Sequence, residues 1–179
     1  RVGFQGCAGL YGFEPDLVTY GKVIGGGFPV GAYGGKREYM EKVAPAGPVY
    51  QAGTLSANPV AMCAGLATLE QLADGKLYAQ LESLGARLSH AVADLSGFTL
   101  QRVGSVFWPL LATTAKPVRS LAQLRSVDAK PFGPVFHRLL DHGIYLAPSA
   151  FEVGFLSAAH TAAHVDQLAR ELRSALAAS

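Results

Sequence analysis

Charge is scarce in this sequence of 179 residues. Charged side chains make up 16% of the chain, with 15 Lys and Arg against 13 Asp and Glu, whereas a soluble domain usually has about a quarter. A net charge of +2 provides no basic surface for nucleic acid or an anionic membrane. The shortage of charge also predicts that part of the surface is covered by another subunit or by further chain.

Cysteines are few, and no apolar run suits a membrane. The two cysteines, Cys7 and Cys63, argue against a disulfide framework and favour a reducing, cytoplasm-like compartment. Residues 43–69 carry no charge, but they include three prolines and three glycines together with Gln51 and Asn58. A membrane-spanning helix does not tolerate such a backbone, so no transmembrane segment is predicted.

The first third of the chain predicts the end of an α/β sheet. Residues 17–20 and 28–35 have the composition of strands, the second interrupted by glycines. Pro59 favours the start of a helix that either Ser56 or Asn58 could cap. Apolar spacing then places Met62, Leu66, Leu69 and Ala73 on one face of that helix.

The remainder predicts an α+β pattern reached through a long helical region. A leucine-rich stripe runs from Leu77 to Leu95 and indicates the helix that leads into it. Further elements are expected as follows: strands at 98–103 and 105–113, a helix from about Pro134 to Gly143, an extended segment at 144–151, and a last helix capped by Thr161. We therefore expect an α/β domain end over residues 1–75 and an α+β domain over residues 76–179.

Several common catalytic motifs are absent. The Gly21-Lys22 pair lacks the glycine and hydroxyl residue of a phosphate-binding loop, and Val30 stands where a dinucleotide fingerprint needs its third glycine. His160 and His164 lie four residues apart, as in a zinc helix, but Thr161 follows His160 where the general base Glu would stand. Solvated or capping histidines are the simpler interpretation, and no metal site is predicted.

Lys22 is the candidate for chemistry that remains. It lies between a predicted strand and Gly25-Gly26-Gly27, and no acidic residue occurs between Asp16 and Glu38. A lysine amine is a nucleophile only after it loses its proton, which a desolvated site free of carboxylates favours. The glycines would let a flat ligand approach the backbone. The residues alone favour an ordinary surface lysine before a Gly-rich turn, and spacing does not overturn that interpretation.

Three segments resemble a known family. Residues 16–35 (DLVTYGKVIGGGFPVGAYGG) are similar to the cofactor-lysine segment of the class III, fold type I, pyridoxal-phosphate aminotransferases. Residues 47–56 (GPVYQAGTLS) and 145–152 (YLAPSAFE) resemble the aminomutase branch of that family, which forms 5-aminolevulinate from glutamate 1-semialdehyde for tetrapyrrole synthesis. Gln51-Ala52-Gly53-Thr54 stands where other members tend to have His-Gly-x-Thr, and this difference points to the aminomutase branch.

The resemblance implies a role for each of three residues. Lys22 would hold pyridoxal 5′-phosphate covalently and, once released, move protons between substrate and cofactor. Thr54 would donate its hydroxyl to the cofactor phosphate of the neighbouring subunit in a homodimer, with a hydroxyl bonded to local backbone as the alternative. Glu152 would lie near cofactor and substrate, with an exposed strand-edge carboxylate as the alternative. The cofactor would also pass through its pyridoxamine form, in the cytoplasm or, in a plant or alga, the plastid stroma.

The resemblance also implies a longer parent protein. This chain would be its C-terminal two-fifths, namely the end of the large domain and the small domain of a fold type I transferase. The cofactor-ring Asp, the phosphate-binding loop and the gating loop would precede Arg1. Two positions depart from the family pattern: Ala57 replaces its usual glycine, and residues 7–10 (CAGL) replace its usual Gly-Ala-Gln run. Another class III aminotransferase or a non-catalytic fragment remain the alternatives.

Overall fold

The computed structural model of the protein describes residues 1–114, 116–124 and 127–177. They form two compact units: one contains Arg1 and Gly3–Lys76, and the other contains Val2 and the chain from Leu77 onward. Each unit combines helices with antiparallel strands. The expected mixture of helix and sheet is confirmed.

The first unit is built on one hairpin. Strand β1 (Leu17–Gly21) pairs antiparallel with β2 (Gly31–Gly35). A 3₁₀ helix, Lys22–Gly25, follows β1 directly, and the N–H of Phe28 then donates to the carbonyl of Gly25. This turn and Pro29, which has no N–H to donate, explain why the second strand begins at Gly31 and not at residue 28.

Three helices complete the first unit. They are α1 (Gly6–Tyr11), which contains the departing residues 7–10, α2 (Arg37–Met40) and α3 (Pro59–Leu72). Helix α3 starts at the predicted proline, and of the two predicted capping residues it uses Asn58, whose side chain accepts the N–H of Ala61 at 3.0 Å.

The buried face of α3 differs from the one that apolar spacing indicated. Met62 and Leu66 are 40% and 60% exposed, whereas Ala61, Gly65 and Leu72 are buried. The reason is residue size, because the 3₁₀ helix approaches α3 so closely at Gly65 that no side chain fits there. Spacing therefore identified the helix, while backbone proximity selected its inner face.

The second unit packs helices on a small sheet. Its helices are α4 (Lys76–Ala91), α5 (Leu121–Leu124), α6 (Phe132–Asp141) and α7 (Ala162–Ala177). Its antiparallel strands are ordered β3 (Thr99–Val103), β4 (Val106–Leu110) and β5 (Gly154–Phe155). Among the described residues, none of the helices combines the length and the apolar character that a membrane span requires.

The core of the second unit confirms the predicted leucine stripe. Leu81, Leu84, Leu88 and Val92 of this stripe are buried in one cluster with residues of β4, α6 and α7. Burial of such side chains contributes roughly 1.5–3 kcal/mol each. The segment 144–151, expected to be extended, has no regular secondary structure at 144–147 and forms bends and turns at 148–151.

The first unit leaves much apolar surface uncovered. Its buried residues are Gly25, Ala61, Gly65 and Leu72. Its large apolar side chains that are 40% to 83% exposed are Phe4, Leu10, Tyr11, Phe13, Leu17, Tyr20, Val23, Phe28, Tyr33, Tyr39, Val49, Tyr50, Leu55, Val60, Met62 and Leu66. An exposed apolar surface of this kind is typical of an interaction site, in agreement with the low charge content.

Candidate functional site

Lys22 occupies an unusual backbone position. It is the first residue of the 3₁₀ helix, and its φ angle is +55°. Residues other than glycine rarely adopt this left-handed region, and they persist there only where the surrounding structure holds them. Its side chain is exposed and, within the described chain, has neither an ion-pair nor a hydrogen-bond partner. The structure thus presents a free amine on a constrained backbone.

Helix α3 provides the constraint. A Cβ at Gly65 would collide with the carbonyl oxygen of Ile24, and one at Gly26 would collide with the carbonyl oxygen of Ala64. Gly26 also has a φ of +58°. The sequence predicts that these glycines allow a flat ligand to approach the backbone. At position 26 the glycine instead allows the 3₁₀ helix to contact α3. Gly27, with no atom of the described chain near its Cβ position, stays compatible with the ligand interpretation.

The second lysine of the hairpin differs from Lys22. The Nζ of Lys36 donates to Asp16 Oδ1 at 2.5 Å, and this hydrogen bond together with the negative charge raises the pKa of Lys36. Both side chains are solvent-exposed, so the pair holds the proton on Lys36 without adding much stability. Lys36 is therefore paired with a carboxylate, whereas the amine of Lys22 has no carboxylate partner in the described chain.

The exposure of Lys22 corrects one expectation from the sequence. The predicted desolvated surroundings are not supplied by the described residues, since Lys22 and its neighbour Val23 are both exposed. Apolar residues do surround the 3₁₀ helix along the chain, including Tyr20 and Phe28, which are 49% and 46% exposed. The Lys22 amine would therefore be shielded from water only if further protein packed over the exposed 3₁₀ helix.

Thr54 begins a tight turn immediately before α3. The turn spans residues 54–57, and the N–H of Ser56 donates to the carbonyl of Gly53 at 3.0 Å. The Thr54 side chain is exposed and forms no hydrogen bond within the described chain. Asn58 caps α3. The alternative in which the Thr54 hydroxyl bonds local backbone is not observed in the described chain. Its hydroxyl is available to a ligand.

Glu152 lies in the second unit, in the loop before β5. Its N–H donates to the carbonyl of Ser149 at 3.2 Å, and the indole of Trp108 donates to the carbonyl of Ala150 at 2.8 Å. The loop backbone is thus fixed on both sides of Phe151, while the carboxylate of Glu152 is exposed and unpartnered in the described chain. Lys22 and Thr54 lie in the first unit.

A cleft of about 680 Å³ next to this loop was not foreseen from the sequence. Its walls are largely apolar and include Tyr145, Val153, His160 and His164. Residues from 143–147 and 153–156 both line it, so the segment that carries Glu152 connects two of its walls. Residues distant in sequence form the cleft, which is why no local motif indicated it.

His164 caps the last helix, and His160 closes the turn before it. Nδ1 of His160 accepts the N–H of Ser157 at 3.0 Å, and Nδ1 of His164 accepts the N–H of Thr161 at 3.2 Å. His164, three residues after Thr161 at the start of α7, thus occupies the position that Glu or Gln has in a capping box, while His160 makes the same kind of contact in a turn. No group of three or more His, Cys, Asp or Glu suited to a metal occurs among the described residues.

The donor set fits the cofactor that the resemblance implied. An unpartnered amine can bond an aldehyde carbon, and an unpartnered hydroxyl beside the start of a helix can donate to a phosphate oxygen. The left-handed backbone at Lys22 marks a position kept against a steric cost, as at many functional sites. Pyridoxal phosphate carries both an aldehyde and a phosphate.

Comparison with known proteins identifies the family. A family model described as aminotransferase class-III matches residues 1–175 of the chain. This chain belongs to the class III aminotransferases. Family membership gives the fold type I architecture, which the predicted α/β plus α+β organisation anticipated.

Individual class III relatives agree with this assignment. Glutamate-1-semialdehyde 2,1-aminomutase of Leptospira biflexa is 52% identical over 167 residues, which cover 90% of this chain and 39% of that protein. A β-phenylalanine aminotransferase of Variovorax paradoxus is 32% identical with a TM-score of 0.86, over 99% of this chain and 42% of that chain. The chain therefore spans about two-fifths of the length of the relatives it matches.

One further solved structure supports the fold. A glutamate-1-semialdehyde aminomutase of Pseudomonas aeruginosa, in complex with pyridoxamine phosphate, is 23% identical with a TM-score of 0.83. The match covers 98% of this chain and 42% of that chain. At this identity the likeness concerns the fold.

Proposed function

We propose that the protein containing this chain is a pyridoxal-phosphate aminomutase that converts glutamate 1-semialdehyde to 5-aminolevulinate for tetrapyrrole synthesis. The observation that carries the proposal is the 52% identity, over 90% of this chain, to an enzyme with that name. The structure supports it through Lys22, an unpartnered amine on a left-handed backbone directly after a strand. The small-molecule substrate agrees with a surface that lacks a basic patch for nucleic acid.

The cofactor would be pyridoxal 5′-phosphate, used also in its pyridoxamine form, and when bound it supplies an electron sink for charge that develops on the substrate carbon. Lys22 Nζ holds the cofactor in the resting enzyme. Once released, the same amine would move a proton between the substrate carbon and the cofactor carbon, acting as a general base and then as a general acid. Packing of further protein over the exposed 3₁₀ helix would exclude water from the reacting atoms.

Thr54 and Glu152 complete the proposed site. The Thr54 hydroxyl donates to the cofactor phosphate of the neighbouring subunit, a role supported by its lack of a partner in the described chain. Glu152, held on a loop with a fixed backbone, orients polar groups of substrate or cofactor. We assign the first unit to the end of the large cofactor-binding domain and the second to the small domain, with the boundary at residues 75–77.

A homodimer is part of the proposal. Tyr50 and Leu55, which lie on either side of Thr54 in sequence, are 83% and 74% exposed. Large apolar side chains with this exposure are expected at a subunit interface, where aromatic residues are enriched. Cys7 and Cys63 are both free and exposed, which supports a reducing compartment such as the cytoplasm.

One second function is favoured by a specific observation. The 0.86 TM-score and 32% identity to a β-phenylalanine aminotransferase fit an enzyme that exchanges amines with a separate keto acid. The full-length protein should therefore be assayed with glutamate 1-semialdehyde and no added amine acceptor. Formation of 5-aminolevulinate under these conditions supports the aminomutase. A strict requirement for a keto acid supports the aminotransferase, and no turnover of either kind supports a non-catalytic role.

A further inference from the structure

We propose that Asn58 is a positioning residue that fixes the Thr54 hydroxyl for the cofactor phosphate. This inference rests on the proposed function, in which Thr54 binds that phosphate. Sequence reasoning considered Asn58 only as one of two candidate helix caps. The structure shows that the two ends of its amide group contact different elements.

The Asn58 amide joins the turn to the helix. Its Nδ2 donates to the carbonyl of Leu55 at 3.2 Å, while its Oδ1 accepts the N–H of Ala61 at 3.0 Å. The backbone N–H of Asn58 also donates to the Leu55 carbonyl, at 3.3 Å. One side chain therefore ties the residue next to Thr54 to the first turn of α3, whose position is fixed by its contact with the 3₁₀ helix.

The turn has little else to hold it. Thr54, Leu55 and Ser56 are exposed, so side-chain packing within the described chain does not define their positions. Ala57 has a φ of +54°, a left-handed conformation that a residue other than glycine adopts at a steric cost. A turn that is strained and exposed keeps its shape through hydrogen bonds, and the Asn58 amide supplies one of the few available.

Asn58→Asp separates the two functions of the side chain. Aspartate keeps an oxygen for the Ala61 N–H and is about as good a cap as asparagine, so the melting temperature should hardly change. It loses the N–H that Nδ2 donates to Leu55. Asn58→Ser, also a good cap without an amide donor and without charge, provides a second variant that keeps the fold.

The measurement is the dissociation constant of pyridoxal 5′-phosphate for the cofactor-free full-length protein. Thr54→Val is expected to weaken binding roughly 5- to 100-fold, because a charged phosphate oxygen loses a hydrogen bond. Asn58→Asp and Asn58→Ser should weaken it by a sizeable part of that factor. Affinity for pyridoxal, which has no phosphate, should be the same in all variants.

A double-mutant cycle distinguishes positioning from a direct effect of charge. In the Thr54→Val background, neither Asn58 variant should weaken cofactor binding further, since the hydroxyl to be positioned is gone. If Asn58→Asp acted by repelling the phosphate, its effect would persist undiminished in that background and the proposal would be wrong.

The remaining outcomes separate this inference from the proposed function. Unchanged affinity in both Asn58 variants, with weakened binding in Thr54→Val, would overturn the role of Asn58 and leave Thr54 as a phosphate ligand. Unchanged affinity in Thr54→Val would instead overturn the role of Thr54 and, with it, the positioning role that depends on it. Weakening in the Asn58 variants that vanishes in the Thr54→Val background supports the proposal.

Discussion

Gly65 of α3 lies against the carbonyl oxygen of Ile24, so close that a Cβ at position 65 would overlap it. Ile24 is two residues after Lys22 in the same 3₁₀ helix. Together with Gly26, which lies against the carbonyl of Ala64 in the same way, this glycine determines how near the candidate lysine segment can approach α3.

Gly65→Ala should displace the 3₁₀ helix from α3. A methyl group at this position meets backbone, which cannot move aside cheaply, so we expect a loss of about 1–3 kcal/mol in the free energy of unfolding. The cofactor absorbance of the full-length protein should fall in parallel. Gly133→Ala is the control, because a Cβ there meets no atom within 4 Å in helix α6 and should be neutral or stabilising by up to about 1 kcal/mol. Equal effects of the two substitutions would contradict this account.

Lys22→Ala should abolish the visible absorbance of the lysine-bound cofactor in the resting full-length enzyme. Turnover should fall by several orders of magnitude, because positioned proton transfer alone is typically worth about 10²- to 10⁴-fold and covalent attachment is lost as well. Lys116→Ala, at an exposed position, should leave both unchanged. Borohydride reduction of the holoenzyme, followed by peptide mapping, should label the peptide with Lys22; a label on any other lysine would refute the assignment.

Glu152→Gln should reduce turnover without affecting stability. The carboxylate is exposed and has no partner in the described chain, so thermal unfolding of the full-length protein should be unaltered. Loss of a charged group that orients the substrate should lower kcat by about 10- to 100-fold, which corresponds to the roughly 1.5–3 kcal/mol of a hydrogen bond to a charged group. Glu171→Gln on α7 serves as the control. Wild-type kcat in Glu152→Gln would show that the carboxylate is only a surface group.

Ala57→Gly should stabilise the protein. The φ of +54° at this position costs an L-residue about 1–2 kcal/mol, and glycine removes that cost while losing about 0.5–1 kcal/mol through unfolded-state entropy. The expected net gain is about 0.5–1 kcal/mol in denaturant titration. Ala67→Gly, in the exposed middle of α3, should instead destabilise by about 1 kcal/mol. A loss in both variants would argue against strain at position 57.

Glu82→Gln should reduce stability at neutral pH but not in acid. Both carboxylate oxygens of Glu82 accept hydrogen bonds from Arg102, at 2.7 and 2.8 Å, which lowers the pKa of Glu82. A lowered pKa means that the stabilisation is fully present above the ordinary carboxyl pKa and is lost as the pH falls through the lowered pKa of folded Glu82. Because the Glu82 side chain is 55% exposed, screening limits the effect to about 1 kcal/mol.

Unfolding midpoints of the wild type and Glu82→Gln should therefore differ at pH 7 and converge in acid, once the pH falls below the lowered pKa of Glu82. Glu70→Gln, on the exposed side of α3 and without an ion pair in the described chain, should show no difference at either pH. A gap between wild type and Glu82→Gln that persists in acid would mean that the pair contributes through packing rather than charge.

The sequence by itself determined the elements whose signals are local. The leucine stripe of α4, the proline at the start of α3, the strand before Lys22 and the Thr161 cap all depend on residues within one or two turns of chain. The same is true of the family, because the lysine segment and the turn with Thr54 are continuous motifs. Lys22, Thr54 and Glu152 could be selected without coordinates for that reason.

Only the tertiary structure decided which surfaces meet. Met62 and Leu66 have the hydrophobicity for a core, yet the glycines at 26 and 65 bring two backbones together and leave those side chains outside. The sequence predicts that segment 144–151 is extended, yet residues 148–151 form bends and turns. The left-handed backbone at Lys22 and the two-ended amide contact of Asn58 are likewise set by partners that no local pattern specifies, since hydrogen bonds and steric contacts across the fold decide them.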